Sequence, residues 1–302
     1  MKKLIFAALA FAMSVYAQAR PVEVESVRKI DLPEGVACQI PTISPDGKFA
    51  VVGVMGMGAL HKVDLSNGEV SLITENGDAD ALKISPDGKN IVFRKVSFDN
   101  NKMRFTALNK IELETRNETE LVKPSRRLNA GFAVTNKAVT AIESGNTRKV
   151  AIAENGSEAS MPVASISYGD LQVTVDGMTA TINPQGDGSY LWPSVSPDGT
   201  KVAYYLVGVG AFVCDLDGRN VMPLGFFRAP AWLSNDMIVG MEDFDDGRAV
   251  TESTIATYDL DGNRQALTSA SLKGMYPSAS ADGSKIVFAT DDGDLYLITL
   301  KK

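Results

Sequence analysis

Apolar residues along this chain come in short runs rich in Val, Ile, Phe and Tyr, separated by tight polar clusters. KFAVVGV begins at Lys48, NIVFRKV at Asn90, KVAYYLV at Lys201 and KIVFAT at Lys285. Runs of this length and composition, bounded by Gly, Pro, Asp and Asn, predict β-strands rather than helices. A second run follows each and closes on Asn-Gly or Asp-Gly, as in HKVDLSNG from His61, FVCDLDG from Phe212 and IATYDLDG from Ile255. A third follows that turn, as in EVSLIT from Glu69 and RQALTS from Arg264. With the strand ahead of the first cluster, each unit has four short strands joined by hairpins.

The first cluster of each unit is written in nearly the same letters. ISPDGK occurs at Ile43 and again at Ile84, VSPDGTK at Val195 and SADGSK at Ser280. Pro sets φ at the first central turn position, Asp bonds its own backbone, and Gly takes the positive φ that ends the turn. SPDG is therefore expected as the hairpin between the first and second strands of a unit. Asp46 and Asp87 stand 41 residues apart, and Asp198 and Asp282 stand 84 apart, or two steps of 42. That period suits propeller blades and helical arrays alike, and the strand-forming residues decide for blades. The expected fold is all-β: one β-propeller of four-stranded antiparallel blades, six by preference and seven as the alternative.

Three stretches are expected to carry divergent units. RAPAWLSNDMIVGME from Arg228 puts Ser234-Asn235-Asp236 where the others have SPDG, GFAVTNKAVTAIE from Gly131 starts another blade, and DLQVTVDGMTATINPQGD from Asp170 reads as the last hairpin of a blade. The last unit supplies three strands and stops, while VESVRKIDL from Val24 is a strand without a partner. Pairing the two removes both open edges, so the N-terminal strand is expected to complete the last blade.

Pro41 to Lys48, Pro193 to Lys201, and Pro277 to Lys285 with Ala281 replacing Pro, share the pattern P-x-x-S-P-D-G followed by a strand, D-x-D-G and L-T. This pattern resembles the WD-repeat-like propeller repeat of TolB-like periplasmic proteins, which also occurs in the propeller domains of prolyl-oligopeptidase relatives. The resemblance implies the fold and, in the TolB-like case, an envelope protein as partner. It implies no particular activity, because such repeats serve scaffolds, binding proteins and enzyme gates alike.

The first nineteen residues change where this fold is expected to work. MKKLIFAALAFAMSVYAQA has Lys2 and Lys3 before an apolar run and ends in Ala17-Gln18-Ala19, the layout of an export signal cleaved after Ala19. Residues 20–302 are then a single propeller domain, periplasmic or secreted, with no transmembrane segment after cleavage. Cleavage removes two lysines and no acid, making the formal net charge of −7 more negative still. That balance argues against nucleic acid as a partner. Cys38 and Cys214 could pair in an oxidising compartment, and two buried free thiols are the other reading.

Catalytic machinery is sparse. His61 is the only histidine, and no G-x-S-x-G, H-E-x-x-H or Cys-x-x-Cys motif occurs. EDFDDG from Glu242 and DDGD from Asp291 gather carboxylates but lack the spacing of a Ca²⁺ loop, so they read as solvated tips. No metal, cofactor or catalytic residue is expected, and the sequons at Asn117 and Asn155 mean little behind such a leader. The residues singled out for binding are Arg126, Arg127, Tyr190, Trp192, Phe227, Arg228, Trp232 and Tyr276, with Met275 and the Met55–Gly58 loop. All fall in linkers between blades or near second-to-third strand loops, and large aromatic and Arg side chains anchor interfaces. The alternative for Trp192 and Trp232 is packing between blades. The expectation is a monomeric, non-enzymatic binding or scaffold protein that holds an envelope or extracellular protein by one rim or by its channel. Its rivals are an enzyme acting on a glycan or peptide through Glu242 and Asp243, and a glycan-binding module.

Overall fold

The computed structural model describes residues 21–56, 58–153 and 161–301. The export signal with its cleavage site, Met57 of the Met55–Gly58 loop and the Asn155 sequon lie outside them.

The described strands run in chain order as hairpins. β1 is Val24–Ile30, followed by β2 (Thr42–Ile43), β3 (Phe49–Val52), β4 (Gly58–Asp64) and the long β5 (Val70–Ile84). Then come β6 (Asn90–Phe98), β7 (Arg104–Glu112), β8 (Glu118–Ser125), β9 (Leu128–Val134), β10 (Ala138–Glu143) and β11 (Asn146–Ala151). β12 (Val163–Ser167), β13 (Asp170–Val175) and β14 (Met178–Thr181) lead to β15 (Tyr190–Val195), β16 (Lys201–Leu206), β17 (Gly210–Asp215) and β18 (Met222–Gly225). β19 (Arg228–Trp232), β20 (Met237–Asp245), β21 (Val250–Asp259) and β22 (Arg264–Ala266) precede β23 (Gly274–Ala279), β24 (Lys285–Thr290) and β25 (Leu295–Leu300).

These strands form an all-β propeller. Four-stranded antiparallel sheets are made by β15 to β18, by β19 to β22, and by β23 to β25 with β1; β9 to β11 and β12 to β14 make three-stranded ones. The seven strands β2 to β8 are joined through β5, whose beginning pairs with β4 and whose end pairs with β6. β5 thus closes one group of strands and opens the next without a linker.

The N-terminal strand does close the last sheet. β1 lies antiparallel against β25, from Ile30 opposite Leu295 to Val24 opposite Leu300. The seam beside it is sealed by Ile30, Val287, Leu295 and Leu297 from the last sheet packed on Ile43, Val52 and Val63 from the first. Arg28 ties the two sheets again by donating to the Leu65 carbonyl. Among the described residues no helix is long and apolar enough to cross a membrane.

The SPDG hairpins fall where expected, between β2 and β3, β5 and β6, β15 and β16, and β23 and β24, but their serine does more than the sequence suggested. The Ser44 hydroxyl donates to Asp46 at 2.8 Å and accepts the backbone N–H groups of Lys48 and Phe49, both at 3.1 Å. Ser85, Ser196 and Ser280 repeat the bond to the aspartate two residues on. Gly88 sits at φ +72° with no atom near its missing Cβ, so the turn needs glycine for backbone reasons alone. Cys38 and Cys214 are free thiols in separate cores, and burial pushes each up to about 12, which leaves them protonated.

Candidate functional site

The first strands of the sheets converge on a cavity of about 410 Å³. It is walled by Asp80 and Lys83 of β5, Gly131 and Phe132 of β9, Ser165 of β12, Leu191, Trp192 and Ser194 of β15, and Pro230 of β19. A space walled by the opening strands of successive sheets is the channel of the propeller.

Three first strands, β15, β19 and β23, are broken by the same device. The pairing slips between Leu191 and Ser194, Arg228 and Ala231, and Met275 and Ser278. At each slip a non-glycine residue holds positive φ, namely Trp192 (+49°), Ala229 (+49°) and Tyr276 (+50°), and a proline follows it. Proline has no N–H for the ladder, so a bulge accommodates it, and bulges re-aim side chains. Holding an L-residue there costs roughly 1–2 kcal/mol per site. In β15 the kink lies where Trp192 meets the cavity.

The opposite wall carries charge. Lys83 is open to the channel yet ringed by protein, and that burial pushes its ammonium down to about 8. Its Nζ lies 5.7 Å from the centre of the Phe132 ring. Asp80 is raised, first by burial and then by the neighbouring Asp78 carboxylate. The hydroxyls of Ser165 and Ser194 are buried and have no hydrogen-bond partner among the described residues.

The expected binding residues divide. Tyr190 and Phe227 turn inward: Tyr190 is fully buried beside Tyr204 and donates to the Gly186 carbonyl, and Phe227 stacks on Tyr258 at 3.8 Å. Trp232 is half-buried, and its Nε1 donates to the Ser194 carbonyl of the neighbouring sheet at 3.1 Å, the arrangement of a packing residue. Tyr276 and Met275 are half-buried against the β19 to β22 sheet. Arg228 pairs with the nearly buried Asp243 at 2.6 Å and with Asp245 at 3.8 Å. Trp192 lines the channel, and Arg126 and Arg127 are exposed between β8 and β9. Met55 is exposed, its N–H bonded to Gln39.

Around Trp192 the structure adds residues that the sequence reading missed. Trp192 packs on Tyr205 at 5.5 Å and Tyr205 on Phe226 at 6.1 Å. Strand register sets Leu191, Tyr205, Ala211 and Gly225 side by side, and the adjoining Val207, Val209 and Phe226 are 51%, 55% and 61% exposed. Apolar side chains therefore run from the channel wall to an open rim. The carboxylates Glu242 and Asp243 are engaged, Glu242 with Tyr258 and Arg264 and Asp243 with Arg228. Among the described residues no group of three or more His, Cys, Asp or Glu is disposed to hold a metal. His61 lies in β4, lowered by burial, and its buried Nδ1 has no hydrogen-bond partner among the described residues.

No family model matches the chain, and no curated protein matches it either. Solved structures do. A chain from the mitotic checkpoint complex superposes with a TM-score of 0.59 at 13% identity, covering 100% of this chain and 99% of its own. Oligogalacturonate lyase from Vibrio parahaemolyticus gives 0.57 at 13% identity, covering 93% and 97%. TolB from Acinetobacter baumannii gives 0.49 at 18% identity over 82% of this chain and 58% of that one. At such identities the likeness concerns fold, and the fold serves both assembly and catalysis.

Proposed function

We propose that this protein is an exported, non-enzymatic propeller that binds an envelope protein through the rim at the mouth of its channel. The observation that carries the reading is the apolar path from Leu191 and Trp192, through Tyr205, to exposed Phe226, Val207 and Val209. Large apolar side chains grouped at one edge of a folded domain mark interaction surfaces, and aromatic anchors supply much of the affinity there. The enzymatic alternative has less support, since Glu242 and Asp243 are tied into ion pairs rather than presented to a substrate. Affinity capture from envelope extract tests the proposal. One stoichiometric protein should be recovered with the parent and lost with Phe226→Ala. Turnover of a glycan or peptide panel without such a partner would overturn it.

A further inference from the structure

A second opening lies away from the aromatic path, and its walls are cationic. A cavity of about 360 Å³ is lined by Arg94 of β6, Met103 and Arg104 at the start of β7, Thr106, Arg126 after β8 and Leu128 of β9. Among the described residues no carboxylate lines it. Asp78, 3% exposed, is the nearest counter-charge, but it already accepts the N–H groups of Gly56 (2.9 Å) and Asp80 (3.1 Å). It approaches Arg94 and Arg104 only at 3.9 Å each, too far for a hydrogen bond. The Arg94 Nε is buried and bonded to nothing among the described residues. Arg126 forms no ion pair among them. Burial, chiefly, lowers Arg94; the Asp78 carboxylate opposes that, the Arg104 charge adds to it, and Asp80 opposes it more weakly.

Of the three guanidinium groups only Arg94 holds a buried donor without an acceptor among the described residues, Arg104 and Arg126 being exposed to water, but three like charges around one opening favour an anion entering it. A desolvated donor left unmade costs free energy, and like charges repel. Guanidinium forks match flat two-oxygen anions, and Met103 and Leu128 offer apolar wall to a carbon skeleton. We propose that this cavity binds an organic carboxylate, its oxygens received by Arg94, Arg104 and Arg126 and its apolar body lying on Met103 and Leu128. The carboxylate could belong to a free acid or to the C-terminus of a polypeptide. This site stands whether or not the rim at Phe226 binds a protein.

The experiment is a titration calorimetry series on the purified protein at low salt. N-acetyl-L-leucine should bind, whereas N-acetyl-L-leucinamide, with the same body and no charge, should not. Inorganic phosphate should bind more weakly than the carboxylate. Arg104→Ala and Arg126→Ala alter exposed side chains and should keep the parent melting temperature while weakening N-acetyl-L-leucine about tenfold or more each. Arg94→Ala removes a largely buried side chain and need not fold, so the two exposed variants carry the test. A peptide ending in a free leucine carboxylate that binds tighter than N-acetyl-L-leucine assigns the site to chain termini, and equal affinity assigns it to free acids. Equal binding of the amide, tighter binding of phosphate, no binding of the leucine probe, or unaltered affinity in both variants overturns the proposal.

Discussion

The two walls of the channel are built on opposite principles. On the β15 to β19 side, Trp192, Tyr205 and Phe226 touch ring to ring, and their neighbours are Val207, Val209 and Leu191. On the β5 to β9 side stand Asp80 and Lys83, with Asp78, Arg94, Arg104 and Arg126 behind them and few close partners. The apolar wall carries contact area, which converts into affinity. The charged wall carries groups whose burial opposes their charge, which favours orientation and selectivity over stability.

Both walls exist only while the ring is closed, so opening it has the largest effect. Deleting Val24 to Ile30 exposes the edge of β25 and unseals the core between the first and last sheets. A fall in melting temperature of about 10 °C or more is expected by calorimetry. An unshifted transition would mean that β1 does not hold the ring.

Next comes Trp232, which belongs structurally to the aromatic sector but reads as packing. Trp232→Ala removes a half-buried ring and its bond to the Ser194 carbonyl. About 2–3 kcal/mol of stability should be lost in urea titrations, with the affinity of the folded fraction for a rim partner unchanged. A fall in affinity without a fall in stability would move Trp232 to the binding surface.

The smallest effect concerns Lys83. Its folded value of about 8 lies below the ordinary 10.5, so between the two the unfolded chain binds more protons there and stability rises with pH. Lys83→Met removes that dependence. The variant should have a higher urea midpoint than the parent below pH 8, with the advantage fading toward pH 10.5. A constant gap across the series would show that the channel does not hold Lys83 against its charge.

The fold was legible because turns were written out. SPDG, DLDG and the strands between them repeat in letters, and VESVRKIDL is a strand left over, so the hairpins and the closing strand followed from local chemistry. The three-stranded sheets from β9 to β14 were harder, since Thr135 to Lys137 replaces SPDG and only hairpin register identifies them. Counting each half of the β2 to β8 sheet separately gives seven strand groups among the described residues, beside an expectation of six with seven as alternative. The open count lay between Asp87 and Asp198, where GFAVTNKAVTAIE and DLQVTVDGMTATINPQGD fall in two separate three-stranded sheets, whereas the boundary inside β5 was already marked by the turn at Ile84. Site residues were less legible, because position in a linker does not say which way a ring points. Tyr190 and Phe227 look the same as Phe226 in sequence, yet they turn into the core. Lys83 did leave a signal: two residues before the turn serine it stands where Thr42, Ser194 and Ser278 stand in the regular units. A charge at that inner-strand position faces the channel.

The most direct test of the account is the affinity of the captured envelope partner for Phe226→Ala beside the parent, measured on proteins of equal melting temperature. Phe226 is exposed, so truncation spares the core, and losing an interface anchor should weaken binding by about thirtyfold or more. Equal affinity for parent and variant would contradict a docking surface on this rim.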